Sequence, residues 1–146
     1  MRISAATENG RRVWKLDNDL LDLTVMQGGG HISGVAFKDR GAVNPLWKPS
    51  WKTIEPWQYR SGDERRYEAH LLSCISGHNL CLPWFGEASQ AETECGLGIH
   101  GEAPVARWRL MSRKNTARTL QMVCGCEMKA TGLDFRRTIR TRKGSP

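Results

Sequence analysis

The stretch Thr119–Met128, TLQMVCGCEM, alternates more cleanly than any other part of the chain. Leu120, Met122, Cys124, Cys126 and Met128 fall on one side, Gln121 and Glu127 on the other. A period of two is the geometry of a β-strand that turns one face to a core. Working outward, ATG at 130–132 and KNTA at 114–117 supply turns on either side. In LDFRRTIRTR (133–142), Leu133, Phe135 and Ile139 share a face interrupted by Arg137, with Arg136, Thr138, Arg140 and Arg142 opposite. ARWRLMS (106–112) sets Trp108 and Leu110 against Arg107 and Arg109. Residues 106–142 therefore predict a three-stranded antiparallel meander. Near the other end, LLDLTVM (20–26) alternates through Leu21, Leu23 and Val25. The glycines at 28–30 read as a turn, and HISGVAFK (31–38) as a second short strand. No segment sustains a 3.6-residue period, so the chain reads as all-β.

A length of 146 residues suits one domain, able to bury roughly two-thirds of its unfolded surface. Hydrophobic content of 39% and charge of 25% describe a folded globular chain rather than a disordered one. No apolar run approaches the roughly 18–20 residues that span a bilayer, and MRISAATENGRR has no signal-peptide core. These features predict a cytoplasmic protein without a membrane partner. Five cysteines, odd in number and without framework spacing, predict free thiols in a reducing compartment. Cys124 and Cys126, two apart on one strand face, are expected in the core.

The net charge of +7 raises nucleic acid as a partner until it is divided along the chain. Residues 1–106 carry 11 basic and 13 acidic side chains, whereas 107–146 carry 11 basic and 2 acidic. The excess lies in strands of alternating pattern and reads as a solvated face rather than a phosphate-binding stripe. No aromatic residues interleave with these arginines as base stacking requires.

The segment from about 41 to 105 differs from both ends. It holds five of six prolines, four of six tryptophans and three of four histidines. Irregular stretches of this length in a compact domain are usually functional, and EAHLLSCI (68–75) is its best candidate strand. His70, Cys74, His78 and Cys81 carry zinc-ligand chemistry. Gly77 interrupts the helix that would align them and no paired knuckle is present, so no metal is expected. PWFG at 83–86 and HG at 100–101 offer something else. A sugar needs an aromatic platform for its C–H face and side chains that donate and accept hydrogen bonds at its rim. Trp84 and Phe85 can supply the first, and His78, Asn79 and His100 the second. The competing reading makes Trp84 and Phe85 core residues and His100 a satisfied turn residue.

GHNLCLPWFG (77–86), followed by GLGIHGEAPVARW (96–108), resembles the aldose 1-epimerase (galactose mutarotase-like) superfamily, with echoes of its hexose-6-phosphate epimerase branch. GGGHISGVAFKD (28–39) resembles the family's opening, and the likeness covers most of 15–142. It implies that His100 is a catalytic-site histidine contacting sugar at the pocket floor, and that Trp84 and Phe85 line the pocket. Ile75 falls where the family carries a sugar-contacting arginine, and Glu102 and Ala103 fall where it carries a Phe-Ala-Arg-like run. His78, Asn79 and Glu102 are therefore expected to complete the substrate-binding set. The resemblance also implies a longer β-supersandwich, of which 1–146 would be the N-terminal portion and a single incomplete domain. The family's general base, a late glutamate, and its general acid, a second histidine, would then lie beyond Pro146.

The reading is an antiparallel β-sandwich that supplies one wall of a sugar pocket in an aldose 1-epimerase-like protein, with no cofactor. The alternatives are a carbohydrate-binding module without catalysis and, more remotely, a basic β-domain that binds nucleic acid. The expected partners are a small-molecule sugar, plus a missing C-terminal half or a second copy joined through an open sheet edge.

Overall fold

The computed structural model describes residues 1–41 and 43–145; Pro146, to which the expected domain extends, lies outside them. Two antiparallel sheets form the molecule. The first has the order β1 (Arg2–Glu8), β2 (Arg11–Asp17), β3 (Leu21–Met26) and β4 (Ile32–Phe37). The second is the expected meander of β5 (Arg109–Asn115), β6 (Thr119–Met128) and β7 (Leu133–Arg142). The β1–β2 hairpin was not foreseen, although its turn is Asn9-Gly10 with φ of 50° and 79° at the two residues. Positive φ at both positions matches the right-handed twist of the flanking strands, and Asn-Gly accepts it most easily. β1 escapes a hydrophobic pattern because none of its residues is fully buried.

The two sheets face each other across one core. Trp14, Leu16, Leu23 and Val25 from the first meet Met122, Cys124, Cys126 and Met128 from the second. The registers Trp14↔Val25 and Leu16↔Leu23 put the first four on a single face. Trp108 closes this core at 1% exposure, its indole N–H donating to Ala103 O at 3.0 Å. The turn at 27–30 docks directly on it: Trp108 N donates to Gln27 O and Gly29 N to Ala106 O, each at 2.8 Å. Gly30 has φ +61°, and a Cβ there would stand 2.4 Å from the Trp108 ring. Only glycine allows that approach.

The 41–105 segment does not form a strand at EAHLLSCI. Residues His70–Cys74 make a short helix, α2, preceded by α1 (Glu64–Tyr67) and followed by α3 (Gln90–Glu94). Leu71 and Cys74 are buried, three apart on one helical face, and Ile54 N donates to Ser73 O. Over so few residues, alternation cannot distinguish a strand from one turn of helix, and packing decided it. Among the described residues no helix is long and apolar enough to cross a membrane.

Part of this segment covers the outer face of the first sheet, where Val13, Thr24 and Met26 are also buried. It is anchored by Arg11, 1% exposed, whose Nε donates to Glu55 Oε2 at 3.1 Å. Its remaining donors reach Thr53 Oγ1 at 3.0 Å, Cys74 O at 3.1 Å and Gly28 O at 3.4 Å. Glu55 Oε1 accepts from Arg12 N at 2.6 Å, so both charges are satisfied on several sides. A buried ion pair stabilises little relative to apolar packing, but removing one partner strands the other charge.

His31 is fully buried, with Nε2 donating to Pro104 O at 3.0 Å and Nδ1 without a partner among the described residues. Burial, with the Arg11, Arg137 and His78 charges adding to it, holds its pKa down at about 3.

Glu55→Ala is expected to lower the unfolding free energy by about 3–5 kcal/mol in urea titrations, whereas the double replacement Arg11→Met/Glu55→Leu costs less. A double replacement that costs as much as the two single replacements added together would mean that the pair is not coupled. For His31, the unfolded ring takes a proton near pH 6.5 and the folded ring resists it down to about 3, so stability is complete above 6.5 and falls as pH drops through that window. The unfolding free energy from urea titrations should fall by about 3 kcal/mol between pH 7 and pH 4, and His31→Gln should flatten the slope. Parallel slopes in the two proteins would assign the acid lability to other groups.

Candidate functional site

Two loops meet where the sequence reading expected a pocket. Leu82 and Gly101 form a parallel bridge, with Leu82 N donating to His100 O at 3.1 Å and Glu102 N to Leu82 O at 2.8 Å. The following peptide, Leu82–Pro83, is cis. Gly101 has φ +82°, and a Cβ there would lie 2.1 Å from Leu82 O, so the loops touch only because this residue lacks a side chain. His100 itself has φ +65°, a left-handed conformation costing a non-glycine residue on the order of 1 kcal/mol.

That conformation is held by a clamp to Gly86. His100 N donates to Gly86 O, and Gly86 N donates to His100 Nδ1, both at 2.8 Å. Because Nδ1 accepts, its lone pair is occupied and the ring proton sits on Nε2. Phe85 stacks on the imidazole with centroids 4.8 Å apart and planes 26° from parallel. It is 83% exposed, far more than a core aromatic would be. Trp84 is half-buried, and its indole N–H is buried without a partner among the described residues. Between the clamped ends the chain makes an excursion containing α3, which has no buried residue and is capped by Ser89 and Glu92.

The remaining expected site residues are placed apart from that stack. His78 is exposed, and its backbone pairs with Ile32 in both directions at 2.9 and 3.0 Å, extending the edge of β4. The Asn79 amide reaches Cys81 Sγ at 3.7 Å. Glu102 spends its carboxylate on the β6–β7 turn, accepting from Ala130 N at 3.1 Å, Thr131 N at 3.3 Å and Thr131 Oγ1 at 3.2 Å.

Gly101 and Glu102, next in the chain to His100, line a cleft of about 740 Å³ over the outer face of the second sheet. Of this cleft's charged lining, the sequence pointed only to Glu102. Arg107, Arg109 and Lys129 face it together with Glu102, Glu127 and Asp134. His70 is there too, stacked on Tyr59 at 4.6 Å and donating from Nε2 to Pro56 O at 2.8 Å. Burial lowers its pKa. Burial pushes the Cys74 and Cys126 thiols up to about 12, which leaves them un-nucleophilic. Among the described residues no group of three or more His, Cys, Asp or Glu could hold a metal ion.

Two solved structures share this architecture. A candidate mutarotase, YeaD from Salmonella typhimurium, superposes with a TM-score of 0.63 at 20% identity over 97% of this chain. HI1317 does so with a TM-score of 0.59 at 13% identity, again over 97% of this chain. The chain spans less than half the length of either, 43% and 48% respectively. No protein-family model matches the sequence, and no curated protein is significantly similar to it.

The clamp makes a spectroscopic prediction. Long-range ¹H–¹⁵N correlation spectra should show the neutral His100 ring as the Nε2–H tautomer, with Nδ1 unprotonated. A ring carrying its proton on Nδ1 would mean that the Gly86 bond does not exist in solution.

Proposed function

The fold is that of a mutarotase-like β-sandwich, and we propose that the chain binds a sugar and supplies one wall of the pocket of an aldose 1-epimerase-like protein. The observation that carries this reading is the Phe85–His100 pair, an exposed aromatic face lying flat on an imidazole whose proton is held on Nε2. An exposed ring face suits the C–H side of a pyranose, and an Nε2–H suits a hydroxyl or ring oxygen at its edge. The neighbouring cleft balances three cationic side chains with three carboxylates. Balanced donors and acceptors favour a neutral polyol over a phosphorylated one, as does Ile75 at the position of the family's arginine.

Anomer exchange requires a base for the anomeric hydroxyl and an acid for the ring oxygen. His100 in its clamped tautomer offers a donor, and the Glu102 carboxylate is engaged by the β6–β7 turn. These two observations favour the second reading, carbohydrate binding without turnover, for residues 1–146 taken alone. The proposal includes a cytoplasmic setting, in keeping with the five free thiols.

Titration of the ¹⁵N-labelled protein with galactose and glucose should shift the amides of 84–86 and 100–102, with glucose 6-phosphate no better. Phe85→Ala should weaken binding several-fold to about tenfold, the loss of roughly 0.5–1.5 kcal/mol of ring contact. Polarimetry on fresh α-galactose should show no acceleration over buffer. Absence of any sugar-dependent shift would remove the binding proposal. Clear acceleration abolished by His100→Asn, which tolerates the same φ, would refute the reading without turnover.

A further inference from the structure

A second cleft, of about 690 Å³, lies over the outer face of the first sheet, on the opposite side of the sandwich from the cleft that Gly101 and Glu102 line. Every residue lining it falls between Glu8 and Ser76. Its floor is the outward side of β2, β3 and β4, and its rim is the stretch 48–53 of the covering segment, so both walls are internal parts of the chain. The volume suits a small molecule.

The floor is polar. Thr24, Ser33 and Ser76 are buried there. Their hydroxyls make no hydrogen bond among the described residues, yet none of these oxygens is sealed from solvent. Three such hydroxyls give one cavity both donors and acceptors. Gly34 pairs with Thr24, and a Cβ there would stand 3.3 Å from Thr24 Oγ1, so the absent side chain keeps the floor open.

The charges around this cleft do not cancel. Lys15 pairs with Glu8, Arg11 pairs with Glu55, and Asp22 lies 3.6 Å from Lys38. Lys48 and Lys52 remain, both exposed and neither in an ion pair or side-chain hydrogen bond among the described residues. Their backbone is tied down on either side: Gly77 N donates to Trp47 O and Ile54 N to Ser73 O, each at 2.8 Å, and the Tyr67 hydroxyl donates to Lys52 O at 3.1 Å.

Between the two lysines stands Trp51. Its indole N–H is spent on Leu72 O at 2.9 Å, and Trp47 packs against it edge-on, with centroids 5.9 Å apart and planes at 64°. The ring is thus fixed, has no polar need of its own, and is still 40% exposed. Fixed aromatic faces beside cations are how proteins hold a nucleobase and its phosphate. A neutral sugar would leave both ammonium groups unmatched, and an inorganic anion would leave the ring and the hydroxyl floor unused.

We propose that this cleft binds a mononucleotide. The base stacks on Trp51, the phosphate lies between Lys48 and Lys52, and the ribose hydroxyls meet Thr24, Ser33 and Ser76. The proposal is independent of the sugar reading, because the two clefts share no residue.

The test titrates the ¹⁵N-labelled protein with AMP, adenosine, inorganic phosphate and glucose 6-phosphate. AMP is expected to shift the Trp51 indole N–H signal and the amides of 33–34 and 48–53, while those of 84–86 and 100–102 stay in place. Adenosine should bind several-fold more weakly, and inorganic phosphate and glucose 6-phosphate about tenfold more weakly or less well still. Lys48→Gln and Lys52→Gln, both exposed changes, should each weaken AMP about twofold to fivefold and leave adenosine unaffected. Trp51→Leu should weaken AMP about tenfold. No shift with millimolar AMP overturns the proposal, as does AMP affinity unaltered by the lysine replacements. Equal affinity for AMP and glucose 6-phosphate would also overturn it, by reducing the cleft to a patch that attracts any anion. Shifts with galactose at 84–86 and 100–102 report the sugar site separately, so either reading fails without the other.

Discussion

The contact between Gly30 and the Trp108 ring is the constraint on which the rest of the molecule depends. It brings the turn after β3 against the residue that leads into β5, so the two sheets meet at a fixed point rather than sliding over an apolar interface. Backbone bonds at Gln27 and Gly29 secure that joint, and the indole N–H is spent on Ala103. The short helical turn at Ala103–Val105 is thereby fixed against the core. Gly101 and His100 precede it directly, so the orientation of the proposed sugar-facing pair is inherited from the joint. Arg137 stands over the same ring and donates to Gly30 O. One tryptophan thus sets the sheet packing, the loop geometry and the position of the Arg137 guanidinium.

The ion pair of Arg11 and Glu55 performs a different task. Val13, Thr24 and Met26 are buried on the outer face of the first sheet, and residues of the 41–105 segment cover part of it without adding a ladder of their own. A segment without a ladder must satisfy its backbone elsewhere. Arg11 answers that need by reaching Thr53, Cys74 and Gly28 from one buried position, while Glu55 caps the turn at Pro56–Gln58. The cost of burying both charges is offset by the number of polar atoms they satisfy.

Much of this was legible in the sequence. The alternation of β6 and the interrupted face of β7 predicted the meander, because each side chain's environment there is set by strand neighbours. The interruption at Arg137 was visible as well, though not its meaning, which requires Trp108 and Gly30 from distant parts of the chain. β1 stayed hidden because an edge strand with no buried residue leaves no apolar period. Arg11 carried no signal of its own in the sequence, since burial of a guanidinium depends on partners 42 to 63 residues away. Glu102 looked like a site residue for a similar reason: the turn that takes its carboxylate lies 28 to 29 residues downstream. PWFG and HG were readable as a pair, but the residue types alone did not show that Phe85 would be outside and Trp84 half inside.

The clamp between Gly86 and His100 has a consequence for how such sites diversify. Everything between its two ends is an appendage: α3 caps itself and buries nothing. Closing a loop of twice the length would add only about 0.6 kcal/mol of entropy, which two hydrogen bonds and a stacked ring can absorb. The energetics of the clamp therefore constrain the length of the thirteen residues separating Gly86 from His100 only weakly. A change in the length or sequence of that stretch would reshape the rim of the neighbouring cleft that Cys95–Ile99 line while leaving the ring and its tautomer in place. What fixes the ring is a glycine whose amide faces a left-handed histidine, and that geometry does not depend on how many residues lie between the two.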